Sequence, residues 1–169
     1  MGKMNIEILP FSESGFTFAE LAALIRSAFV TVADTMCLTP ENAPTNPAFI
    51  KEEALTKAIE KGSRFYCAMS DGKLLGCVAL ESSGDPNIIY LERLAVSPEY
   101  RHLGIGSQLV DKAEKAATTL GAQCISIGII DENTVLKNWY SRLSFYQTAL
   151  KHFDHLPFTV CFMEKRINS

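Results

Sequence analysis

Histidine is scarce in the 169-residue sequence, with only His102, His152 and His155, and none stands near a cysteine. The five cysteines, Cys37, Cys67, Cys77, Cys124 and Cys161, are odd in number and form no CxxC pair. A structural zinc site needs clustered thiolates and imidazoles, so no metal is expected. Most of these cysteines stand in apolar runs such as Tyr66-Cys67-Ala68 and Val160-Cys161-Phe162, a context that reads as buried reduced thiols. No apolar run approaches the roughly 18 residues of a membrane span. The first residues, MGKMNIEIL, show no signal-peptide pattern. A basic excess is missing too: 16 Lys and Arg against 19 Asp and Glu leave a net charge of −3. A general nucleic-acid binder needs a basic face. These absences point to a soluble, cytoplasmic chain with neither a membrane nor a nucleic acid as partner.

What is present is enough to build a core, since apolar residues make up 47% and charged residues 21% of the chain. The length suits one compact domain over residues 1–169. Residues 4–9 alternate as a short strand. Phe16, Phe18, Leu21, Leu24, Ile25, Ala28 and Phe29 recur at helical spacing. Residues 38–47 hold three prolines and exclude a continuous helix. Thr45 or Asn46 before Pro47 then predicts a helix start, with the helix running to about Lys61 and stopped by Gly62. Residues 64–69 and 74–81 read as a hairpin about Asp71-Gly72, and 88–96 as a third strand. Ile105, Leu109, Val110, Ala113, Ala116, Ala117 and Leu120 share a helical face that Gly121 ends. The apolar run 124–130 fits a buried parallel strand, which makes 88–130 a right-handed strand–helix–strand crossover. A helix over 133–142 and a strand over 158–164 follow.

The segment Arg101-His102-Leu103-Gly104-Ile105-Gly106-Ser107 lies between a strand and a helix. Two glycines at i and i+2 let the backbone turn tightly and approach a ligand. Free N–H groups at a helix start suit a phosphate or pyrophosphate. A Walker A loop is excluded by the missing Gly-Lys-Ser/Thr. A dinucleotide fingerprint lacks its third glycine, since Leu109 occupies that place.

With LAVSPEY (94–100) before this loop and NTVLKNWYSRLSF (133–145) after it, the sequence resembles the GCN5-related N-acetyltransferase superfamily. The resemblance covers residues 63–165, and residues 1–62 match only as a variable helical, acceptor-side region. It implies a three-layer α/β/α sandwich with a mixed, mostly antiparallel sheet. It also implies acetyl-CoA as cosubstrate and a primary amine of a small molecule or protein as acceptor. Homodimers are common among similar proteins, so a second copy is an expected partner. The pyrophosphate would rest on the amides of His102, Leu103, Gly104, Ile105, Gly106 and Ser107, with Arg101 opening the motif. The backbone of Leu94, Ala95 and Val96 would pair with the pantetheine arm, and Asn133 would contact that arm. One departure is Ser144 before Phe145, where the family usually has glycine. If a left-handed helix end is kept there, serine carries a cost of roughly 1 kcal/mol.

Amide formation from a thioester requires a neutral amine, a donor for the developing oxyanion and an acid for the leaving thiolate. By family position the acid is Tyr140. Glu92 is the candidate base, because a carboxylate in so apolar a strand invites a reason; the alternative is a carboxylate paired with an arginine. Tyr90 and Glu81 are reserve candidates. On a regular strand Tyr90, Glu92, Leu94 and Val96 share one face. The oxyanion donor would be a backbone N–H near Leu94. Trp139 and the phenylalanines at 16–29 read as core, and His152, Asp154 and His155 as a solvated loop between two late strands. A non-catalytic acyl-CoA-binding or sensor module is the rival function. No motif names the acceptor; its determinants are expected in 30–50 and 148–158.

Overall fold

The computed structural model describes residues 4–167. Strand β1 (Glu7–Pro10) runs into one helical turn, α1 (Phe11–Ser14), and the long helix α2 (Phe18–Thr35). A 3-10 turn at Pro47–Phe49 leads to α3 (Glu52–Glu60). Then come β2 (Arg64–Ser70), β3 (Lys73–Ser82) and β4 (Ile88–Val96), followed by α4 (Ile105–Thr119), β5 (Cys124–Ile130) and α5 (Thr134–Arg142). The chain closes with β6 (Tyr146–His152) and β7 (Thr159–Arg166). These strands form a seven-stranded sheet in the order β1-β2-β3-β4-β5-β7-β6. Among the described residues only the β4–β5 pair is parallel. No helix among the described residues is long and apolar enough to cross a membrane.

The layers follow from strand alternation, which sends neighbouring residues to opposite faces. On β2, Tyr66 and Ala68 join one core with Leu109, Val110 and Ala113 of α4 and Tyr140 of α5. Phe65 and Cys67 join the other, with Leu21, Leu24 and Ile25 of α2 and Leu55 of α3. Two helical layers therefore cover one mixed, mostly antiparallel sheet, as the resemblance implied. Asp71 and Gly72, at φ 50° and 76°, make the tight β2–β3 turn. Gly62 and Gly121 end α3 and α4 at φ 104° and 89°.

Three local readings need correction. The first long helix starts later than its phenylalanine pattern suggests. Thr17 and Glu20 form a reciprocal capping box, so Phe16 lies outside. The helix expected from Pro47 to Lys61 is broken. Asn46 does cap Pro47–Phe49, its side chain accepting from the Ala48 N–H at 2.9 Å. Ile50 and Lys51 are then extended, and the chain restarts as α3 with Glu52 and Glu53 in its first turn. Ile50 is buried, and its carbonyl accepts from Arg26 at 2.8 Å, so tertiary contacts interrupt the helix. The third correction concerns β4. Arg93, at φ 50°, sits in a bulge: Ala79 faces Glu92 while Cys77 faces Ala95. The extra residue shifts the alternation, so Glu92 is not on the face of Leu94 and Val96. Leu94 and Val96 pack toward α4 and α5, and Ala95 toward α2.

Candidate active site

The parallel pair is short. Ile88, Ile89 and Tyr90 pair with Cys124, Ile125 and Ser126, and there the pairing of β4 with β5 stops. Strand β5 stays paired with β7 through Ile130. The last six residues of β4, Leu91 to Val96, thus diverge from β5. A cavity of about 320 Å³ fills the opening, and Glu92, Leu94, Asn133 and Tyr140 all line it.

Glu92 is half-buried, and burial raises its carboxyl to about 7, with the nearby Glu81 carboxylate adding to the rise. Loss of water disfavours the charged form, and a second negative charge acts the same way. Arg93 opposes the rise but is committed elsewhere: its guanidinium donates to Glu81 at 2.8 Å. The arginine partner considered for Glu92 is therefore spent on Glu81, which also accepts from the Ser63 hydroxyl at 3.2 Å. The reserve candidate Glu81 is tied up by the same contacts, and Tyr90 is exposed. The thiol of buried Cys77, held protonated by burial, donates to the Arg93 carbonyl at 3.5 Å and so satisfies the bulge backbone.

Tyr140 lies on α5 with its ring edge-on to Trp139 and Phe145, at centroid separations of 4.9 and 5.2 Å. Burial first, and then the Glu92 charge, push its phenol above the usual value of 10. The helix end behind it is built by Ser144, at φ 73°. The Phe145 N–H donates to the Tyr140 carbonyl at 3.1 Å and the Ser144 N–H to the Ser141 carbonyl at 3.0 Å. This is a left-handed helix end of the kind glycine favours, here made with serine. Asn133 caps the same helix, accepting from the Leu136 N–H at 3.2 Å, while also lining the cavity. Of the helical face 133, 136, 137 and 140, three members line the cavity, and Lys137 instead pairs with Asp131.

The glycine turn lies outside the cavity wall. Gly104 is left-handed, at φ 82°, and caps α4 without a side-chain bond. The first hydrogen bond of α4 runs from the Gln108 N–H to the Gly104 carbonyl at 3.1 Å, so the N–H groups of Ile105, Gly106 and Ser107 precede the ladder. His102, Leu103, Gly104 and Ser107 are exposed, whereas the Ile105 side chain is core, leaving only its backbone for a ligand. The Arg101 guanidinium does not face the turn: it donates to the Ala28 carbonyl of α2 at 2.6 Å. Gly106 also has a packing role. A Cβ there would lie 3.1 Å from the Trp139 ring, so its bareness serves the packing of α4 on α5. Trp139 is partly buried and packs against the α4 core, while Phe16, Phe18 and Phe29 pack, partly buried, against the α2 core; Phe29, read as core from its spacing, also lines the cavity. His152 is the last residue of β6, not of a loop, and Asp154 and His155 follow it in an exposed turn. Cys67, Cys77 and Cys161 are buried, but Cys37 is exposed.

Several wall residues carry no signature in sequence: Phe29 and Val32 of α2, Pro47, Leu156 and Phe158. All but Phe29 come from the two stretches expected to shape the acceptor side. Only their apolar character, which any core residue shares, could have pointed to them.

A three-layer fold whose mixed sheet opens at its one parallel pair, beside a glycine-initiated helix, is the architecture of an acyl-CoA N-acyltransferase. The particular family is shown by sequence. The Acetyltransferase (GNAT) family matches residues 29–145, well over half of the chain, and the chain belongs to it. The match begins inside α2, earlier than the stretch on which the resemblance rested. The chain is 26% identical over 149 residues to an uncharacterized N-acetyltransferase in the pepI 3' region of Lactobacillus delbrueckii subsp. lactis, covering 81% of this chain and 82% of that one. It is 29% identical over 99 residues to the amino-acid acetyltransferase of Pseudomonas aeruginosa, which covers 59% of this chain but only 21% of that protein. The PaiA N-acetyltransferase of Thermoplasma acidophilum, solved in complex with coenzyme A, superposes with a TM-score of 0.77 at 23% identity, over 96% of this chain and 99% of that one.

Proposed function

We propose that this chain transfers an acetyl group from acetyl-CoA to a primary amine by direct attack. The reading rests on one observation above the others: a carboxyl raised to about 7 and a buried tyrosine line the same opening between two diverging strands. The coenzyme A held by the Thermoplasma protein supports the choice of donor.

The residues divide the work as follows. The N–H groups at the start of α4, from His102 to Ser107, hold the pyrophosphate with the positive end of the helix dipole. The unpaired edge of β4 at Leu94, Ala95 and Val96 offers backbone donors and acceptors to the pantetheine amides, as an added strand would. Asn133 steadies the same arm. Glu92 takes a proton from the acceptor ammonium. The freed nitrogen lone pair then forms the C–N bond, and a backbone N–H near Leu94 donates to the carbonyl oxygen as charge develops there. When the C–S bond breaks, the thiolate receives its proton from Tyr140, the nitrogen gives up its second proton to solvent to become the neutral amide, and solvent reprotonates Tyr140. A carboxyl near 7 is half ionised at neutral pH, the range in which a general base serves best.

Gly104→Val tests the donor site. The left-handed φ of Gly104 is strained for a branched side chain, although a Cβ would meet nothing within 4 Å. Calorimetric titration with coenzyme A should show at least a tenfold loss of affinity, with the cooperative unfolding transition retained. Wild-type affinity in this variant would remove the α4 turn from the account.

A further inference from the structure

We infer that the acceptor half of the cleft takes a small primary monoamine with an apolar body and no second charge. The inference rests on the acetyl-transfer reading and narrows its substrate class. Beyond the β4 edge the wall is built by Phe29, Val32, Ala43, Pro47, Leu156 and Phe158. This wall is held in place before any ligand arrives. Ala33, Leu38, Ala43 and Ala48 form a buried cluster against which Phe29 and Phe158 pack. The Arg26 bond to Ile50 ties α2 to the same segment. The Asn46 side-chain oxygen already accepts from the Ala48 N–H, which leaves the Asn46 amide NH2 and the Thr45 hydroxyl, both uncharged, as the polar groups on this wall.

Charge decides the class. Glu92 and Arg93 are the charged residues that line the cavity, and the Arg93 guanidinium is bound to Glu81 beside a second, separate depression. Neighbouring charges are also committed or turned away. Asp131 pairs with Lys137, the Glu132 carboxylate accepts from the Thr159 N–H, and His152, Asp154 and His155 are exposed and outside the wall. An amine with a carboxylate would thus bury that charge without a free cation. A diamine would bury its far ammonium against phenylalanine and leucine. Both lose hydration without compensation, whereas a methyl-ended chain gains by burial. Glu92 meets the one ammonium that every acceptor brings.

The test is a series of equal length that differs only at the far end: hexylamine, 1,6-diaminohexane and 6-aminohexanoate, with a tetrapeptide bearing a free α-amine as a fourth probe. Thiol release from acetyl-CoA should give hexylamine a kcat/KM at least tenfold above each of the others. A diamine, amino acid or peptide that equals or exceeds hexylamine would overturn the inference while leaving acetyl transfer intact. Leu156→Asp adds a carboxylate to the wall and should raise the ratio of diamine to hexylamine turnover at least tenfold; an unchanged ratio would also overturn the inference. If no amine is turned over, calorimetry with coenzyme A present separates the two claims. Selective hexylamine binding would keep the acceptor class and remove the transfer reaction, and equal or absent binding of all four would remove the class as well.

Discussion

Glu92 and Tyr140 are both shifted upward by the same loss of water, with opposite consequences for proton transfer. The shift makes Glu92 a stronger base within reach of neutral pH, and it makes Tyr140 a weaker acid. A thiol near 8.5 is more acidic than this phenol, so the transfer from Tyr140 runs uphill unless the same apolar cavity also destabilises the thiolate. Tyr140→Phe removes the hydroxyl and keeps the ring edge-on to Phe145. Turnover should fall by about 10²–10⁴, the range of a positioned acid, with little change in coenzyme A affinity. A donor with a low-pKa thiol should mask the loss, and full activity with acetyl-CoA would contradict the role. Glu92 also links stability to pH. Its carboxyl rises from 4.5 to about 7 on folding, so its neutral form supports the fold below about pH 4.5, and that support is lost as pH rises through 7. The charged form at pH 8 then costs on the order of 3 kcal/mol. Glu92→Gln should unfold at higher urea than wild type at pH 8 and at nearly the same urea at pH 4. An equal difference at both values would show that the carboxylate carries no burial penalty.

At the level of elements, α5 shows how a departure from pattern is absorbed. Ser144 holds the left-handed place that closes the helix behind Tyr140. Ser144→Gly should therefore raise stability by about 1 kcal/mol and the melting temperature by about 2–4 °C, read by thermal unfolding. A lower melting temperature would mean that the Ser144 side chain does work not visible in its backbone. The main elements were legible because their apolar spacing matches their period: 3.6 in α4, two-sided burial in β3, a continuous apolar run in β5. Where that signal is absent, so was the reading. All seven residues of β6 are exposed, so no alternation betrays its bounds. The bulge at Arg93 has no glycine to announce it, yet it reverses the faces of β4. The break at Ile50 and Lys51 depends on contacts with α2 that are remote in sequence.

For the whole molecule, the proposed function rests on a seam. Strand β4 stays with β3, and β5 stays with β7, so the sheet parts between them while the two helical layers hold each half in place. Leu94, Asn133 and Tyr140 could be named beforehand from the family resemblance, and Glu92 because a carboxylate stands out in so apolar a strand. The acceptor wall could not, because Phe29, Pro47 and Phe158 meet only through folding. The central claim is that this seam abstracts a proton from an amine and acetylates it, with Glu92 as the base. Its most direct test is the pH dependence of thiol release from acetyl-CoA for wild type and Glu92→Gln, each with the same best acceptor. The wild-type rate should rise through a limb near pH 7, and the variant should lose at least tenfold at pH 7.5 and recover in part as the pH approaches the acceptor amine's own pKa. Coincident profiles, in height and in shape, would contradict the account.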